Sequence, residues 1–372
     1  MLEQAKGRAD RPAGFHMASS EHGRVRPGPA GALNRRADPG GDGQALVPAS
    51  VVIVNHNAGR LLADCLEAAL AQARQVILVD NASTPVPFES VVSRFATHPR
   101  LTILRSRVNT GFSAGCNLGA ARADQPTLLF LNPDCILGQG SLAALHTALG
   151  SGDRVGMVGG LLTDVGGREQ GGARRSIPTP WRSFVRGFGL RRLAWLAPRW
   201  FSDFHLHREP LPAEPIEVEA VSGALTMVTR EAFAAAGPWD EGFFLHCEDL
   251  DLCLRFREAG WKILFVPDAP AIHHRGLCGR SRPLAVEWHK HHGMIRFYRK
   301  HFRRSYPAGL FGLVVAGVWL RFALVASRQA ASQAVVAARM RREQIPGDVA
   351  SAWHVRETVL DSRVATPTTL PS

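Results

Sequence analysis

An α/β fold with a mostly parallel central sheet and helices on both faces is what this sequence predicts. Three observations predict it. Short, wholly apolar runs alternate with stretches of helical spacing from Ser50 to about Leu162. The runs lack polar alternation, which is the pattern of strands buried on both faces. Polar residues then gather where the runs end: Asn55 and Asn57 after the first, Asp80 after the second, Asp134 after the fourth. In parallel sheets ligands collect at those carboxyl ends.

The elements follow in order. Residues 1–48 are rich in Gly, Pro, Ala, Arg and Asp, without apolar periodicity or a signal-like apolar core, and read as a disordered leader. Val51 to Val54 is the first strand, and Leu61, Leu62, Cys65, Leu66, Ala69 and Leu70 mark one face of a helix. Val76 to Val79 is a strand, Phe88 to Ala96 a helix, and Leu101 to Leu104 a third strand. A glycine-bearing turn, Asn109 to Asn117, enters a helix running to Arg122, and Thr127 to Leu131 is the fourth strand. A helix at Ser141 to Leu149 and a strand at Val155 to Leu162 come next. Residues Thr163 to Pro215 are irregular, with glycine pairs, prolines and tryptophans among arginines, as in a flap or acceptor-facing insertion. Ile216 to Val221 and Leu225 to Val228 read as strands, and Arg230 to Ala236 as a short helix.

The stretch from Trp239 to His274 is the most informative. Glu248, Asp249 and Asp251 crowd the start of a helix whose apolar residues include Leu250, Leu252, Leu254 and Phe256. Gly260 ends that helix, Lys262 to Val266 is a strand, and after Pro267 come His273 and His274. The helix dipole favours an acid or two in its first turn. It does not account for adjacent acids answered by a histidine pair across a strand.

With 372 residues, 45% of them apolar, the chain has room for one large domain or a domain and a half. The six cysteines are scattered without a CxxC pair, which favours buried, reduced thiols in a cytoplasmic setting over disulfides or a zinc ribbon. The net charge of +12 calls for an anionic partner. Beyond His274, arginines and lysines occur almost without acids, then Ala308 to Ala326 is apolar except for Arg321. That pattern suits a helix lying on an anionic membrane surface, and His289, His291 and His292 read as part of a solvated basic helix. No helix-turn-helix, zinc finger or RNA-binding signature accompanies the charge, so nucleic acid is not the expected partner.

The segments VVIVNHN (51–57), VILVDNAS (76–83), NTGFSAGCN (109–117), FLNPDC (130–135), VSGALTMVTREAF (221–233), GPWDEGFFLHCEDLDLCLR (237–255) and VPDAPAIHH (266–274) run in one order. Together they resemble glycosyltransferase family 2, in particular its rhamnosyltransferase-like branch. The resemblance covers roughly Ser50 to His301 and implies a GT-A fold over 49–275. Basic and apolar C-terminal helices (276–345) and a flexible tail (346–372) would follow. It further implies an inverting transfer of a sugar, rhamnose first among the candidates, from a nucleoside-diphosphate donor to a glycan or lipid-linked acceptor. The setting implied is cell-envelope polysaccharide synthesis at the inner face of the plasma membrane.

Roles follow by the same resemblance. Asp80 would accept from the nucleobase, with Asn55, Asn109, Gly111, Gly115 and Asn117 lining the donor site. Asp134 would hold the diphosphate through Mn²⁺ or Mg²⁺, with His273 completing the metal site and His274 supporting it. Asp249 would be the general base with Glu248 beside it, and Trp239, Asp240 and Asp251 would contact or support the acceptor. The chemistry is consistent: a leaving diphosphate needs a hard cation, and a hydroxyl nucleophile needs a carboxylate to take its proton. Two departures stand out, a single carboxylate in Asn132-Pro133-Asp134 where paired aspartates are usual, and His56 where an aromatic is typical.

Other classes fit less well. A nicotinamide-dependent oxidoreductase needs GxGxxG after the first strand, and Asn55 to Gly59 is no such loop. A nucleotidyltransferase needs a glycine-rich basic loop there. A non-catalytic sugar-nucleotide-binding or membrane scaffold protein is the alternative that the motifs leave open.

Overall fold

The computed structural model describes residues 45–187, 192, 195, 206–274 and 283–343, and the described residues from Leu46 onward form one compact unit. The leader, all but its last residues, and the tail lie outside them, as does Cys278.

The chain opens with β1 (Val47–Asn55), α1 (Leu61–Leu70), β2 (Ala73–Asn81), α2 (Pro85–Val92), β3 (Leu101–Ser106), α3 (Phe112–Ala120) and β4 (Thr127–Leu131). It continues with β5 (Cys135–Leu137), α4 (Ser141–Leu149), β6 (Val155–Thr163), β7 (Arg174–Arg175) and α5 (Pro180–Gly187). Next come β8 (Ile216–Glu217), β9 (Ala220–Val221), β10 (Leu225–Thr229), α6 (Arg230–Ala236), α7 (Glu248–Glu258) and β11 (Lys262–His273). The C-terminal pair is α8 (Pro283–His301) and α9 (Ala308–Glu343).

The main sheet runs β3-β2-β1-β4-β10-β6-β11-β5, with β8 on β11. Its first four strands are parallel, and β6 and β11 are parallel to each other, whereas β10 lies antiparallel between β4 and β6. The expected α/β GT-A architecture is therefore present, with the parallel block at the N-terminal side. Val51 to Val54 and Val76 to Val79 are buried, as uninterrupted apolar runs require. α3 can lie close on β1 because small residues face it. A Cβ added at Gly115 would sit 2.6 Å from Val54, and one at Gly119 would sit 2.3 Å from Val52. That close seat brings the turn before α3 to the carboxyl end of the sheet.

Four local expectations change. The strand expected to end before Pro267 continues to His273, because a register shift between Val266 and Pro270 takes Pro267 out of the ladder before pairing resumes at Pro270. The single strand expected at Ile216 to Val221 is two short pieces, β8 on the main sheet and β9 paired with β7. α9 runs far beyond Ala326, and its segment Ala308–Ser332 is long and apolar enough to cross a membrane by length and composition, with mean hydropathy 2.0. Finally, His291 is buried rather than solvated: its Nδ1 faces the Glu287 carbonyl at 2.7 Å, and Arg321 of α9 donates to its Nε2 at 3.1 Å. The arginine that interrupts the apolar segment is thus turned to a partner on α8.

Candidate active site

At the ends of β1 and β2, register pairs Asn55 with Asp80. The Asn55 amide donates to Asp80 Oδ1 at 3.3 Å and to Ser83 Oγ at 2.9 Å, and the Ser83 hydroxyl also accepts from the Asn57 amide nitrogen. Asn81, next along, ties this corner to the turn before α3. Its side chain donates to Asn109 Oδ1 at 3.0 Å and to the Gly111 carbonyl at 2.9 Å, and accepts from the Thr110 N–H. Gly111 sits at φ +88° with Phe244 O 2.7 Å from where a Cβ would be, so only glycine fits. Beside these residues a cavity of about 270 Å³ is lined by Asn55, Asn57, Ser83, Thr84 and Phe88 among others. Gly115 packs on Val54, and the Asn117 amide is taken up by the backbone of Trp239 and the Glu241 carboxylate.

A second cluster forms where β5 meets β11. Pairing of His273 with Cys135 sets Asp134 beside the imidazole, and His273 Nε2 lies 3.4 Å from Asp134 Oδ1. The ligand atoms of Asp134, Cys135 and His273 all lie within 4.8 Å of one another. Gln170 fixes the ring. Its Nε2 donates to the Thr163 and His273 carbonyls, so its Oε1 is the atom facing His273 Nδ1 at 3.0 Å, and Nδ1 carries the hydrogen. That leaves Nε2 turned toward a carboxylate oxygen of Asp134. Two acceptors this close repel unless a proton or a metal ion lies between them. Burial, with Asp134 and Cys65 adding to it, pushes the Cys135 thiol well up; the hard donors of the cluster are one oxygen and one nitrogen. That set suits a divalent cation that keeps water or diphosphate oxygens in its other positions. The His274 N–H donates to the Asp134 carbonyl at 2.9 Å and steadies this corner.

The acid pair sits at the N-terminus of α7. His246 and Cys247, both at φ 71°, precede Glu248 in the left-handed region that non-glycine residues seldom occupy. Gly293 of α8 makes this turn possible: a Cβ there would lie 2.6 Å from the His246 carbonyl. Asp249 Oδ2 accepts from the Gly223 N–H at 3.2 Å and from Arg175, and its Oδ1 accepts from the Leu250 N–H at 2.8 Å. A carboxylate has about four lone-pair positions. Among the described residues, that leaves one on Oδ1 for a substrate hydroxyl. Glu248 is 7% exposed, and its Oε2 has no partner among the described residues. Burial first, and Asp249 second, push its carboxyl up to about 8.

The remaining candidates hold the frame. Trp239 is buried edge-on to Phe112 and Phe130, and Asp240 pairs with Arg296 and Lys300. Asp251, 0% exposed, receives Arg255 at 2.8 Å, Lys300 at 2.7 Å and His301 at 2.8 Å. Burial would raise its carboxyl, but the His301 and Lys300 hydrogen bonds and the Arg255 charge prevail and hold it at about 2. These pairs fasten α7 to α8.

The two halves of the site meet through the Ser222-Gly223-Ala224 turn. Its Ala224 carbonyl accepts from the Asn132 N–H at 3.0 Å, and its Gly223 N–H reaches Asp249. Asp80 lies near the end of β2 and Asp134 just beyond β4, and these two strands are separated by β1, about 10 Å from strand to strand at ordinary spacing. Asp80, Asp134, His273 and Asp249 are therefore brought to one end of the sheet. Sequence reading missed Asn81, Ser83, Gln170 and Arg175. Asn81 and Ser83 lay inside a quoted motif, whereas Gln170 and Arg175 fall in the irregular stretch with no pattern to mark them.

The chain matches the family model described as Glycosyl transferase family 2 over residues 50–211. It is 32% identical over 245 residues to the N-acetylglucosaminyl-diphospho-decaprenol L-rhamnosyltransferase of Mycobacterium tuberculosis, covering 60% of this chain and 75% of that one. It is also 34% identical over 89 residues to the rhamnosyltransferase WbbL of Escherichia coli, covering 23% of this chain and 34% of that one. Among solved structures it is similar to the Pyrobaculum calidifontis mannosyltransferase PcManGT in complex with GDP-Man and Mn²⁺. The TM-score is 0.48 at 18% identity, over 83% of this chain and 84% of that one.

Proposed function

The chain belongs to glycosyltransferase family 2, in its rhamnosyltransferase-like branch, and from that premise we propose that it transfers rhamnose from a dTDP donor, with inversion, to a lipid-linked glycan. The observation that carries the catalytic reading is the shared turn linking the Asp134–His273 pair to Asp249. The acceptor hydroxyl oxygen attacks the anomeric carbon as the bond to the donor's phosphate oxygen breaks, and its proton passes to Asp249 Oδ1. One base opposite one leaving group gives a single displacement, hence inversion. Mn²⁺ or Mg²⁺ held by Asp134 and His273 would offset the charge growing on the departing diphosphate. Asn55, Asp80 and Asn109 line the nucleoside end, and Glu248, kept protonated by burial, leaves the role of base to Asp249. Gly111, Gly115 and Asn117 serve by shaping that wall, and Trp239, Asp240, Asp251 and His274 by holding it.

The lipid-linked acceptor is favoured by the decaprenol-linked acceptor in the name of the mycobacterial relative and by α9. Leu310, Leu313, Leu320 and Leu324 are exposed on that helix, with Arg299, Lys300, Arg303 and Arg304 just before it. In this reading the enzyme works at the cytoplasmic face of the plasma membrane, with the C-terminal helices on its anionic surface. The domain plan is a GT-A catalytic domain over 49–275 followed by these helices.

Donor screening tests the proposal. The full chain is incubated with Mn²⁺ or Mg²⁺ and with dTDP-rhamnose, UDP-hexoses or GDP-mannose, then followed by thermal shift and by release of nucleoside diphosphate. A shift and turnover greatest with dTDP-rhamnose is the expected result. Binding and turnover of no nucleotide sugar would favour the non-catalytic scaffold instead.

A further inference from the structure

The run from Glu169 to Arg175 reaches both halves of the site. Its own frame is rigid. Arg174, 1% exposed, donates to the Glu169 carboxylate through two hydrogen bonds at 2.9 and 3.1 Å and to the Glu209 and Pro210 carbonyls, and lies over the Phe265 ring. Its backbone is tied at both ends, by Gln170 N–H to the Leu162 carbonyl at 2.8 Å and by β7 pairing Arg174 with Val221. Gln170 and Arg175 project from this pinned frame to different targets. Gln170 engages His273 at the ring nitrogen and at the carbonyl, across 103 positions of sequence. Arg175 bonds Asp249 and the Val221 carbonyl, and its Nε is buried with no partner among the described residues.

We propose that Gln170 and Arg175 are positioning residues for the transfer, set on one strap that keeps the cation pair and the base in fixed relation. The inference rests on the catalytic reading above. Gln170 holds the proton on Nδ1 of His273 and so commits Nε2 to the cation; without it the ring can flip or take the other tautomer. Arg175 fixes which Asp249 oxygen is engaged, leaving Oδ1 toward the acceptor. It also supplies the positive charge facing Glu248 and Asp249, with Cys247 and Cys253 the other titratable groups there. Burial works against the charge on Arg175, but the charge and hydrogen bond of Asp249, with Cys253 and Cys247 adding to them, together outweigh it, so the guanidinium stays charged. A fixed guanidinium plane, whose Nη2 serves both Asp249 Oδ2 and the Val221 carbonyl, explains an arginine at this point better than a lysine would.

Two measurements on the full chain test the pair. The first titrates Mn²⁺ alone and reads free Mn²⁺ by electron paramagnetic resonance, with no turnover involved. Gln170→Leu should weaken Mn²⁺ binding about ten- to a hundredfold, the usual cost of losing a partner behind a metal-bound histidine. Arg175→Met should leave that affinity within about twofold, since it touches no cation ligand. The second measures turnover of whichever donor the screen returns. Arg175→Met should lower kcat about a hundredfold with donor KM nearly unchanged, and added guanidinium should restore part of it. Arg175→Lys should recover less than guanidinium does.

Wild type that loses Mn²⁺ binding on Asp134→Asn, yet keeps it on Gln170→Leu, would overturn the role of Gln170 while leaving the cation pair standing. A folded Arg175→Met protein with wild-type kcat would do the same for Arg175. Wild type that binds no Mn²⁺ and turns over no donor would overturn the catalytic reading, and this inference with it.

Discussion

Replacing Glu248 by glutamine should stabilise the protein, and increasingly so as pH rises. The carboxyl is 7% exposed, lacks a partner for Oε2 among the described residues, and lies beside Asp249. Burial and that neighbour raise it from an ordinary 4.5 to about 8. A carboxyl raised in the folded state favours folding fully below its unfolded value, and the advantage drains away as pH climbs to the folded value. Between 4.5 and neutrality, keeping this carboxyl neutral takes about 3 kcal/mol from the folding free energy, at 1.36 kcal/mol per pH unit. Glutamine has the same shape, stays neutral at every pH, and escapes that loss. Denaturant unfolding of wild type and Glu248→Gln should therefore coincide near pH 4.5 and diverge toward pH 8, with the variant more stable by up to about 3 kcal/mol at neutrality. A gap that is constant with pH, or widest in acid, would refute the assignment of a buried, protonated Glu248.

Further outcomes follow from the same contacts. Asp251→Asn should cost about 2 kcal/mol at neutral pH, and the difference should close as pH falls from 3.8 through about 2, where the wild-type carboxylate itself takes up a proton. Gly293→Ala should cost about 1–3 kcal/mol and lower kcat, because its methyl would press on the His246 carbonyl and shift the turn carrying Glu248 and Asp249; thermal melts and kinetics together check it. Leu313→Glu with Leu320→Glu should abolish co-sedimentation with phosphatidylglycerol vesicles without moving the melting temperature, since both side chains are exposed.

The sequence made the parallel block legible because three of its four strands, all but the edge strand β3, are buried on both faces and so read as apolar runs. Val51 to Val54, Val76 to Val79 and Thr127 to Leu131 are such runs. It made Asp80, Asp134 and Asp249 legible because polar residues at strand ends and helix starts stand out against apolar neighbours. β11 was cut short because Pro267 is a strand breaker unless a register shift excuses it, and that shift depends on a partner strand. His291 looked solvated among basic residues because its partner, Arg321, lies on the following helix. Gln170 and Arg175 were hidden for the same reason: their partners lie 103 and 74 positions away, and no periodicity marks a residue whose meaning is a long-range hydrogen bond.

Asp249→Asn puts the central claim to the most direct test. The variant keeps the shape of the side chain and an oxygen for the Gly223 N–H, but it cannot take a proton from an incoming hydroxyl. Sugar transfer by the folded variant should fall by about 10²–10⁴ while donor-induced thermal stabilisation persists. Transfer at the wild-type rate would contradict the account.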